Sequence, residues 1–250
     1  LEVKQTLTEL KGVSKRLRPL TDSTPKCLLN IGDKNLLQRT IENVISNGIS
    51  DFIFVTGYRE NLIKDFVNNT FPDINKIFIT NTDYENNNNS YSLWMSKDFV
   101  KSDILLLDSD IFFDEKIISE LLNSEKENCL AVNFTDSLDE EQIKVILNED
   151  NEILKIGKEI SISDSAGESI GIERFSSYFM KGLFAILDRK IMHENNVNEF
   201  YEASFQELID TGKKNSDKRN SICAVDVSEF RCMEIDTVQD YQNAQRLINN

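Results

Sequence analysis

The residues best suited to chemistry begin with a short basic segment near the start of the chain. Gly12 is followed by Lys15, Arg16 and Arg18, and then by Lys26, in a chain that is acidic as a whole. A glycine lets a backbone approach a polyphosphate closely, and clustered cations neutralise the charge of such an anion. This concentration of cations predicts an anion site. The alternative is a basic turn on the surface, because short basic runs are common.

Two acidic pairs form the second group of candidates. Asp108 and Asp110 end the apolar stretch 103–110, and Glu234 and Asp236 lie far along the chain. Asp108 and Asp110 cannot both ligate one ion unless the strand bends, so we expect one of them to act. A carboxylate from each of two distant segments, completed by substrate oxygens, commonly holds magnesium in phosphate chemistry. Alternatively, these acids cap a turn and a helix, since Asp236 precedes a helical pattern.

The elements that must position these residues alternate between helical and strand patterns, which indicates an α/β fold. The stretch 103–110 (DILLLDSD) is typical of a central parallel strand whose carboxyl end faces a cleft. The asparagine-rich stretch 81–89 predicts a loop. Further strands are predicted at 51–56, 76–80, 130–134, 144–147, 152–156 and 224–235. Helices are predicted at 36–47, 60–69, 90–97, 200–211 and 238–248.

Composition limits the class of protein. A chain of 250 residues, 40% of them hydrophobic, can bury one sizeable core, so we expect a single domain. With 28 basic and 43 acidic residues the formal charge is −15, which opposes binding to nucleic acid or to an anionic membrane. The chain shows neither a long apolar span nor a secretory pattern, so we expect a cytoplasmic protein. Four scattered cysteines predict reduced thiols, and His193 has no partners for a triad or a zinc site.

Five stretches carry a family resemblance. The stretch 16–58, beginning RLRPLTDSTPK, resembles the N-terminal signature of the sugar-nucleotidyltransferase superfamily. The later stretches NNNNSYSLWMS, LLLDSDIFF, GESIGI and EIDTVQDYQNAQRL resemble bacterial CTP:phosphocholine cytidylyltransferases and the related aminoethylphosphonate and inositol-phosphate cytidylyltransferases. The resemblance runs from Gly12 to the C-terminus. It implies a Rossmann-like, three-layer α/β/α fold with a mixed, mostly parallel central sheet, as one nucleotidyltransferase domain over 1–250.

The activity that the resemblance implies is Mg²⁺-dependent transfer of CMP from CTP to a small phosphate- or phosphonate-bearing acceptor, with release of pyrophosphate. Residues 1–125 would bind the nucleotide, 126–235 the acceptor, and 236–250 would form the C-terminal helix. Arg16 and Lys26 would hold the triphosphate, and Asp110 and Asp236 would ligate Mg²⁺; these four are the predicted catalytic residues. The resemblance places the nucleotide pocket at Leu10, Lys11, Gly12, Thr56, Gly57, Tyr58, Asn89, Ser92 and Asp108.

The stretch 5–15 departs from the family pattern. The family signature opens with a buried apolar strand, whereas Thr8, Glu9 and Lys11 would put polar groups there. Ser14 and Lys15 replace the usual glycine and small hydroxyl residue of the following loop. Either this segment is displaced or remodelled, or the protein binds nucleotide poorly or not at all.

The acceptor must offer a phosphate or phosphonate oxygen, and side chains of the second half should recognise the rest of it. Lysines would hold the anion, while carboxylates or aromatic rings would receive a cationic amine. A quaternary ammonium favours an aromatic box and a primary amine favours carboxylates, and the sequence offers both. Each aromatic has packing as its alternative role. The candidate acceptor-binding residues are Trp94, Lys158, Glu168, Tyr178, Lys181, Tyr201 and Glu202, with Glu173 as a further carboxylate.

Two other functions compete with cytidylyl transfer. One is a sugar-1-phosphate nucleotidyltransferase that uses UTP, dTTP or GTP. The other is a catalytically impaired, nucleotidyltransferase-like binding protein, which the altered first strand suggests. The oligomeric state is left open, with a homodimer as one option.

Overall fold

The computed structural model of the protein describes residues 3–10, 12, 14–135 and 137–248. Its strands are β1 (Gln5–Leu10), β2 (Asn30–Ile31), β3 (Lys34–Asn35), β4 (Asp51–Thr56), β5 (Asn75–Thr80), β6 (Ile104–Asp108), β7 (Ile111–Phe113), β8 (Cys129–Asn133), β9 (Lys144–Leu147), β10 (Ile153–Gly157), β11 (Gly167–Phe175), β12 (Cys223–Asp226) and β13 (Cys232–Glu234). Its α-helices are α1 (Leu36–Ser46), α2 (Glu60–Thr70), α3 (Asn89–Met95), α4 (Lys116–Asn123), α5 (Ser177–Asp188), α6 (Glu202–Asn215) and α7 (Val238–Ile248).

The central sheet is mixed. Its main strand order is β10-β9-β11-β6-β1-β4-β5, and β8 joins it by pairing with β11 and with β12. The strands β6, β1, β4 and β5 are mutually parallel, whereas β11 is antiparallel to β6, β8 and β9. Two short antiparallel pairs, β2 with β3 and β13 with β7, lie outside this sheet.

Helices cover both faces of the sheet. Apolar residues of α1, α2 and α4 are buried against one face, and those of α3, α5 and α6 against the other. A third, smaller cluster packs α7 against the loop before β2 and against β2 itself. The three-layer α/β/α architecture with a mixed, mostly parallel sheet is therefore confirmed. Among the described residues, no helix is long and apolar enough to cross a membrane.

The first strand, β1, lies at the centre of the sheet, between β4 and β6. Its residues Thr6, Thr8 and Glu9 are buried despite their polarity. Glu9 pairs in register with Asp108 of β6, so the two carboxylates are on the same face of the sheet. Over the described residues 5–10, the strand is therefore not displaced, and its polar end joins the edge where Asp108 lies.

Several predicted elements match the structure closely. The predicted strand 51–56 and the predicted helix 238–248 coincide with β4 and α7, and the predicted helices 36–47 and 60–69 differ from α1 and α2 by one residue at the carboxyl end. Apolar residues recur within these segments at the regular spacing of a helix or a strand. Their secondary structure could therefore be predicted from the local sequence alone.

Other predictions were wrong in extent. The predicted strand 224–235 is two short strands, β12 and β13, in different sheets. The predicted helix 200–211 corresponds to α6, which begins at Glu202, continues past Gly212 to Asn215 and stops at Ser216 in a left-handed conformation. A side chain at Gly212 would meet Asn220 at 2.7 Å, so packing explains this glycine. The strands β1 and β11 and the helix α4 were not predicted.

Candidate active site

Side chains from remote parts of the chain meet at the carboxyl end of the parallel strands. The Lys26 ammonium lies 2.9 Å from Asp110 Oδ2 and 2.5 Å from Asp236 Oδ1. Arg16 also donates a hydrogen bond to Asp236. Asp110 follows β6, and Asp236 follows β13. The two acidic segments, which lie far apart along the chain, therefore converge on one cation of the N-terminal loop.

Backbone contacts fix the two aspartates relative to one another. The Ile235 N–H donates to the Asp110 carbonyl at 2.8 Å. The Asp240 carboxylate accepts from the Thr237 N–H at 2.7 Å and from the Asp236 N–H at 3.2 Å. These bonds satisfy free N–H groups at the start of α7 and place a negative charge at its positive end. The position of Asp236 is therefore set by the helix start rather than by Lys26 alone.

The basic loop is held on two sides. Leu17 is fully buried in the cluster that also contains Ile235, beside α7. The Tyr58 hydroxyl, just after β4, donates toward the carbonyls of Thr21 at 3.1 Å and Asp22 at 2.9 Å. The loop is thus attached to the C-terminal segment and to the sheet edge without any ligand.

The four cations of the loop are not equivalent. Arg16 and Lys26 reach the aspartates, whereas Arg18 pairs with Asp22 at 3.3 Å on the surface. Lys15 and Arg18 are exposed. The structure therefore brings the two predicted catalytic cations to the acidic pair and leaves the other two in solvent.

The charged groups of the cluster stabilise the ionised forms of their neighbours. Burial lowers the pKa of Lys26, but the nearby carboxylates of Asp110 and Asp236 outweigh burial and raise the pKa above its ordinary value. Burial likewise raises the pKa of Asp236, but Lys26 and Arg16 hold it below its ordinary value. Lys26 and Asp236 are therefore both charged at neutral pH.

The arrangement suits a hard divalent cation. Asp110 and Asp236 direct carboxylate oxygens at one point, which the Lys26 ammonium occupies as a stand-in cation. Mg²⁺ prefers oxygen ligands and is often bound by one or two carboxylates together with substrate phosphates. Among the described residues there is no cluster of three or more His, Cys, Asp or Glu side chains that could hold a metal ion. Any ion at this point therefore needs oxygens from substrate and water as well.

Ser14, at the start of the basic loop, has an unusual backbone conformation. Its φ of 46° and ψ of 60° are left-handed, a region that disfavours residues with a Cβ. The Thr21 hydroxyl donates to the Ser14 carbonyl at 2.9 Å and thereby supports this turn. The glycine that the family signature carries at this position would adopt the turn without steric cost.

We expect Ser14→Gly to stabilise the protein by about 0.5–1 kcal/mol, because relief of the left-handed strain exceeds the entropic cost of a glycine. Urea unfolding measures the change. The matched control is Ser161→Gly, because Ser161 has an ordinary φ of −66° and is exposed. There glycine should only destabilise. Equal destabilisation by both substitutions would contradict the strain at Ser14.

Two neighbouring cavities open beside the ion-pair cluster. The first cavity has a volume of about 330 Å³ and is lined by Gly12, Asp110 and Asn89, among others. The second cavity has a volume of about 530 Å³ and reaches Glu168 and Thr237. Six residues line both cavities: Arg16, Glu141, Gln142, Lys158, Glu234 and Asp236. Two residues of the cluster, Arg16 and Asp236, therefore lie at the junction of the two cavities.

Acidic side chains line the end of the first cavity that is next to the sheet. Asp108 accepts a hydrogen bond from the Tyr201 hydroxyl at 2.8 Å, and burial, together with neighbouring acids, raises the pKa of Asp108 well above its ordinary value. Burial raises the pKa of Glu202 to about 7, and burial with Glu202 and Glu9 nearby raises that of Glu173. This end of the cavity therefore favours either protons or a bound cation.

Gly171 permits the close approach of β11 to Asp108. Its φ is +70°, and a Cβ at this position would lie 2.5 Å from Asp108 Oδ2. The glycine sits where β11 shifts its register against β8, between Ser169 and Glu173. The second glycine of the stretch GESIGI thus has a structural explanation at the acidic end of the cavity.

Four of the predicted acceptor-binding residues are at or beside the cavities, namely Lys158, Glu168, Tyr201 and Glu202. The structure does not bring the other three there. Trp94 donates to Asp188 at 2.7 Å, and Tyr178 is exposed with its hydroxyl on Asp217 at 2.8 Å. Lys181 lines a separate surface depression on α5. These side chains serve other contacts.

Of the predicted nucleotide-binding residues, the first cavity is lined by Gly12, Asn89 and Asp108. Three others are buried in the protein interior: Leu10, Thr56 and Ser92. A side chain at Gly57 would meet the Tyr84 ring at 2.9 Å, and Tyr58 holds the basic loop. Lys11 lies outside the described residues.

The sequence interpretation missed one wall of the cavities. Glu141, Gln142 and Phe200 line the first cavity but were not singled out. The fully buried Lys144 donates to three backbone carbonyls of the segment 139–142, at 3.0–3.2 Å, and thereby shapes this wall. A lysine inside an apolar strand pattern was the available signal.

Known proteins resemble the chain over nearly its whole length. It is 28% identical over 253 aligned positions to a CTP:phosphoglutamine cytidylyltransferase of Campylobacter jejuni, covering 92% of this chain and 95% of that one. It is 25% identical over 244 aligned positions to a choline-phosphate cytidylyltransferase of Streptococcus pneumoniae, covering 96% of each.

The fold has solved counterparts. The structure of a CTP:phosphocholine cytidylyltransferase from Streptococcus pneumoniae matches with a TM-score of 0.79 at 20% identity, covering 99% of this chain and all of the other. The sequence profile of the family described as Nucleotidyl transferase matches residues 11–143, which carry the basic loop and Asp110. By this match, and with the ion-pair cluster at the expected edge of the expected sheet, the chain belongs to the nucleotidyl transferase family.

Proposed function

We propose that the protein is a Mg²⁺-dependent cytidylyltransferase that transfers CMP from CTP to a small phosphate- or phosphonate-bearing acceptor. The observation that carries the proposal is the convergence of Asp110 and Asp236 on the ammonium of Lys26, with Arg16 beside them. The choice of CTP is supported by the two cytidylyltransferases that the chain resembles over more than nine-tenths of its length.

The reaction joins an acceptor oxygen to the α-phosphorus of CTP and breaks the bond from this phosphorus to the bridging oxygen. Pyrophosphate leaves with the electron pair of that bond. Arg16 and Lys26 bind the triphosphate and neutralise the charge that grows on pyrophosphate as it leaves. Asp110 and Asp236 hold Mg²⁺, which, when bound, stabilises negative charge on the phosphate oxygens. No protein nucleophile is required, since positioning and charge stabilisation supply most of the rate in such transfers.

Both substrates use the first cavity, and the acceptor extends from it across the junction with the second cavity. The nucleotide takes the part of the first cavity near Gly12 and Asn89, where the basic loop can reach its triphosphate. The acceptor lies across the junction, with Lys158 near its anionic group and Glu202 near its other end. The acceptor named for the Campylobacter jejuni relative is phosphoglutamine and that for the pneumococcal one is choline phosphate. We favour an acceptor of the amino-alcohol phosphate or aminophosphonate type.

Pyrophosphate release with a panel of nucleotides and acceptors tests this function. We expect release with CTP and Mg²⁺ in the presence of at least one of phosphoethanolamine, 2-aminoethylphosphonate, phosphocholine and phosphoglutamine. Activity only with UTP, dTTP or GTP and a hexose 1-phosphate would replace the proposal by a sugar-1-phosphate nucleotidyltransferase. Calorimetry with CTP and Mg²⁺ addresses the binding-protein alternative, since heat without turnover would support it.

A further inference from the structure

Four carboxylates from separate elements come together at the acidic floor of the first cavity: Glu9 of β1, Asp108 of β6, Glu173 of β11 and Glu202 of α6. Three of them line the cavity, and Glu173 lies buried beside them. Glu9 and Asp108 pair across neighbouring strands, and Glu173 pairs with Leu106, two residues before Asp108 on the same face. Glu9, Glu173 and Glu202 are 6%, 2% and 7% exposed. Such burial of like charges is costly unless protons or a ligand compensate it.

Two oxygens of the acidic floor lack hydrogen bonds. Glu202 Oε2 and Glu173 Oε2 are buried and accept no hydrogen bond from any residue that the structure describes. The Glu202 carboxylate is nevertheless held in place, because the Asn89 side chain donates to it. Glu202 also lines the first cavity, and its unpaired oxygen is buried in the wall of that cavity. A buried carboxylate oxygen gains most from a charged N–H donor.

The acidic floor suits an organic cation better than a metal ion. Within the described ranges, the acidic side chains are not arranged as a cluster of three or more metal ligands. Asp108 also uses one oxygen to accept from Tyr201. A partner with several N–H donors fits separated oxygens better than a single ion with fixed ligand distances.

The floor offers no aromatic box for a quaternary ammonium. Tyr201 is fully buried, its ring stacks on Phe205 at 4.9 Å between centroids, and its hydroxyl is bound to Asp108. Phe200 lines the cavity, but the Lys158 ammonium already lies 5.0 Å from its ring centre. Trimethylammonium groups depend on aromatic faces and donate no hydrogen bond. The carboxylate oxygens of the floor would stay unpaired against methyl groups.

The distance to the reacting centre limits the size of the ligand. Asp108 and Asp110 are two residues apart, so their Cα atoms are separated by at most about 7 Å. A molecule whose phosphorus lies near Asp110 can therefore reach the acidic floor with a chain of only a few atoms. This matches a small acceptor that carries an anionic group at one end and a nitrogen at the other.

We propose that the acidic floor binds the protonated primary amine of the acceptor, so that the enzyme selects acceptors with an N–H-bearing cation over those with a quaternary ammonium. The inference rests on the proposed function for the identity of the acceptor, and it names the chemical class that this site recognises. Glu202 is the residue that we expect to contact the amine directly, because it combines an unpaired oxygen with a place on the cavity surface.

Phosphoethanolamine and phosphocholine test the inference, because they differ only in the N-methyl groups. We expect phosphoethanolamine to bind at least about tenfold more tightly in calorimetry, measured with Mg²⁺ both with and without a non-hydrolysable CTP analogue. Glu202→Gln, which keeps the shape but removes the charge, should reduce this preference to less than about threefold. Glu173→Gln should reduce it in the same direction. Glu149→Gln, at an exposed turn, is the matched control and should keep the preference.

Equal binding of the two compounds, a preference for phosphocholine, or binding of neither would overturn the inference. So would an unchanged preference in a folded Glu202→Gln variant, with folding checked by circular dichroism. The binding measurement does not need turnover, so it separates the two proposals. Selective binding of phosphoethanolamine without pyrophosphate release would contradict only the proposed activity. Pyrophosphate release without a preference for phosphoethanolamine would contradict only the amine site.

Discussion

Replacing Asp110 by asparagine should lower kcat by on the order of a thousandfold while leaving the protein folded. The asparagine keeps the size of the side chain but loses the charge that, with Asp236, would hold Mg²⁺ against the triphosphate. The Lys26 ammonium keeps Asp236 as its partner, so we expect little change in the unfolding midpoint. Pyrophosphate release at saturating CTP and acceptor measures the first effect, and thermal unfolding measures the second.

The substitution Lys26→Met removes a cation of the cluster, as Asp110→Asn removes one of its carboxylates. It removes the shared cation, so the proposed triphosphate contact is lost and the negative charges of Asp110 and Asp236 face each other. We expect a similar fall in kcat with a measurable loss of stability. The matched control is Lys34→Met, because Lys34 pairs with Glu42 at 2.7 Å on the surface. Activity close to wild type in either Asp110→Asn or Lys26→Met would contradict the role assigned to the pair.

The second large effect that we expect is a dependence of the free energy of unfolding on pH, caused by Glu202. Burial raises its pKa from 4.5 to about 7, so between these values the folded protein binds a proton that the unfolded chain has released. The stabilisation is complete below pH 4.5 and is lost as the pH rises through about 7. A rise of this size corresponds to about 3 kcal/mol for this nearly buried group.

Urea unfolding at pH 5 and pH 8 measures this dependence. The free energy of unfolding of the wild type should fall more between the two pH values than that of Glu202→Gln, by about 3 kcal/mol. Glu168 also has a pKa raised to about 7 by burial, so only the difference between the two proteins isolates Glu202. Glu149→Gln serves as the control and should follow the wild type. Parallel pH profiles for wild type and Glu202→Gln would contradict the burial of an acid with a raised pKa.

Helices and strands whose apolar residues recur at a regular spacing were predictable from the sequence. Strands whose position depends on pairing with other strands were not. The helix α1 and the strand β4 have patterns of apolar residues that no other structure explains well. The strand β1 has a polar sequence, and only its pairing on both sides with β4 and β6 makes it a central strand. The strand β11 contains two glycines and a register shift, so its pattern is broken where it changes partners.

The residues of the candidate site were likewise predictable only in part. The types and order of residues indicated an anion site in the basic segment and a metal site built from carboxylates of two distant segments, because phosphate chemistry needs opposed cations and carboxylates. The family resemblance narrowed these candidates to Arg16, Lys26, Asp110 and Asp236. Their spacing says nothing about which other side chains share the cavity. Trp94 and Tyr178 had the right chemistry for an acceptor but pack or pair elsewhere.

By itself, the sequence determined the α/β class, and its resemblance to a known family gave the family and the four charged residues that are predicted to act together. Each of these depends on residue type and on order along the chain, both of which can be read locally. Only the tertiary structure decided that Trp94 and Tyr178 lie away from the cavities and that Glu9, Asp108, Glu173 and Glu202 come together at one buried floor. Burial and the meeting of distant strands depend on the register and packing of the whole sheet, which no local pattern contains.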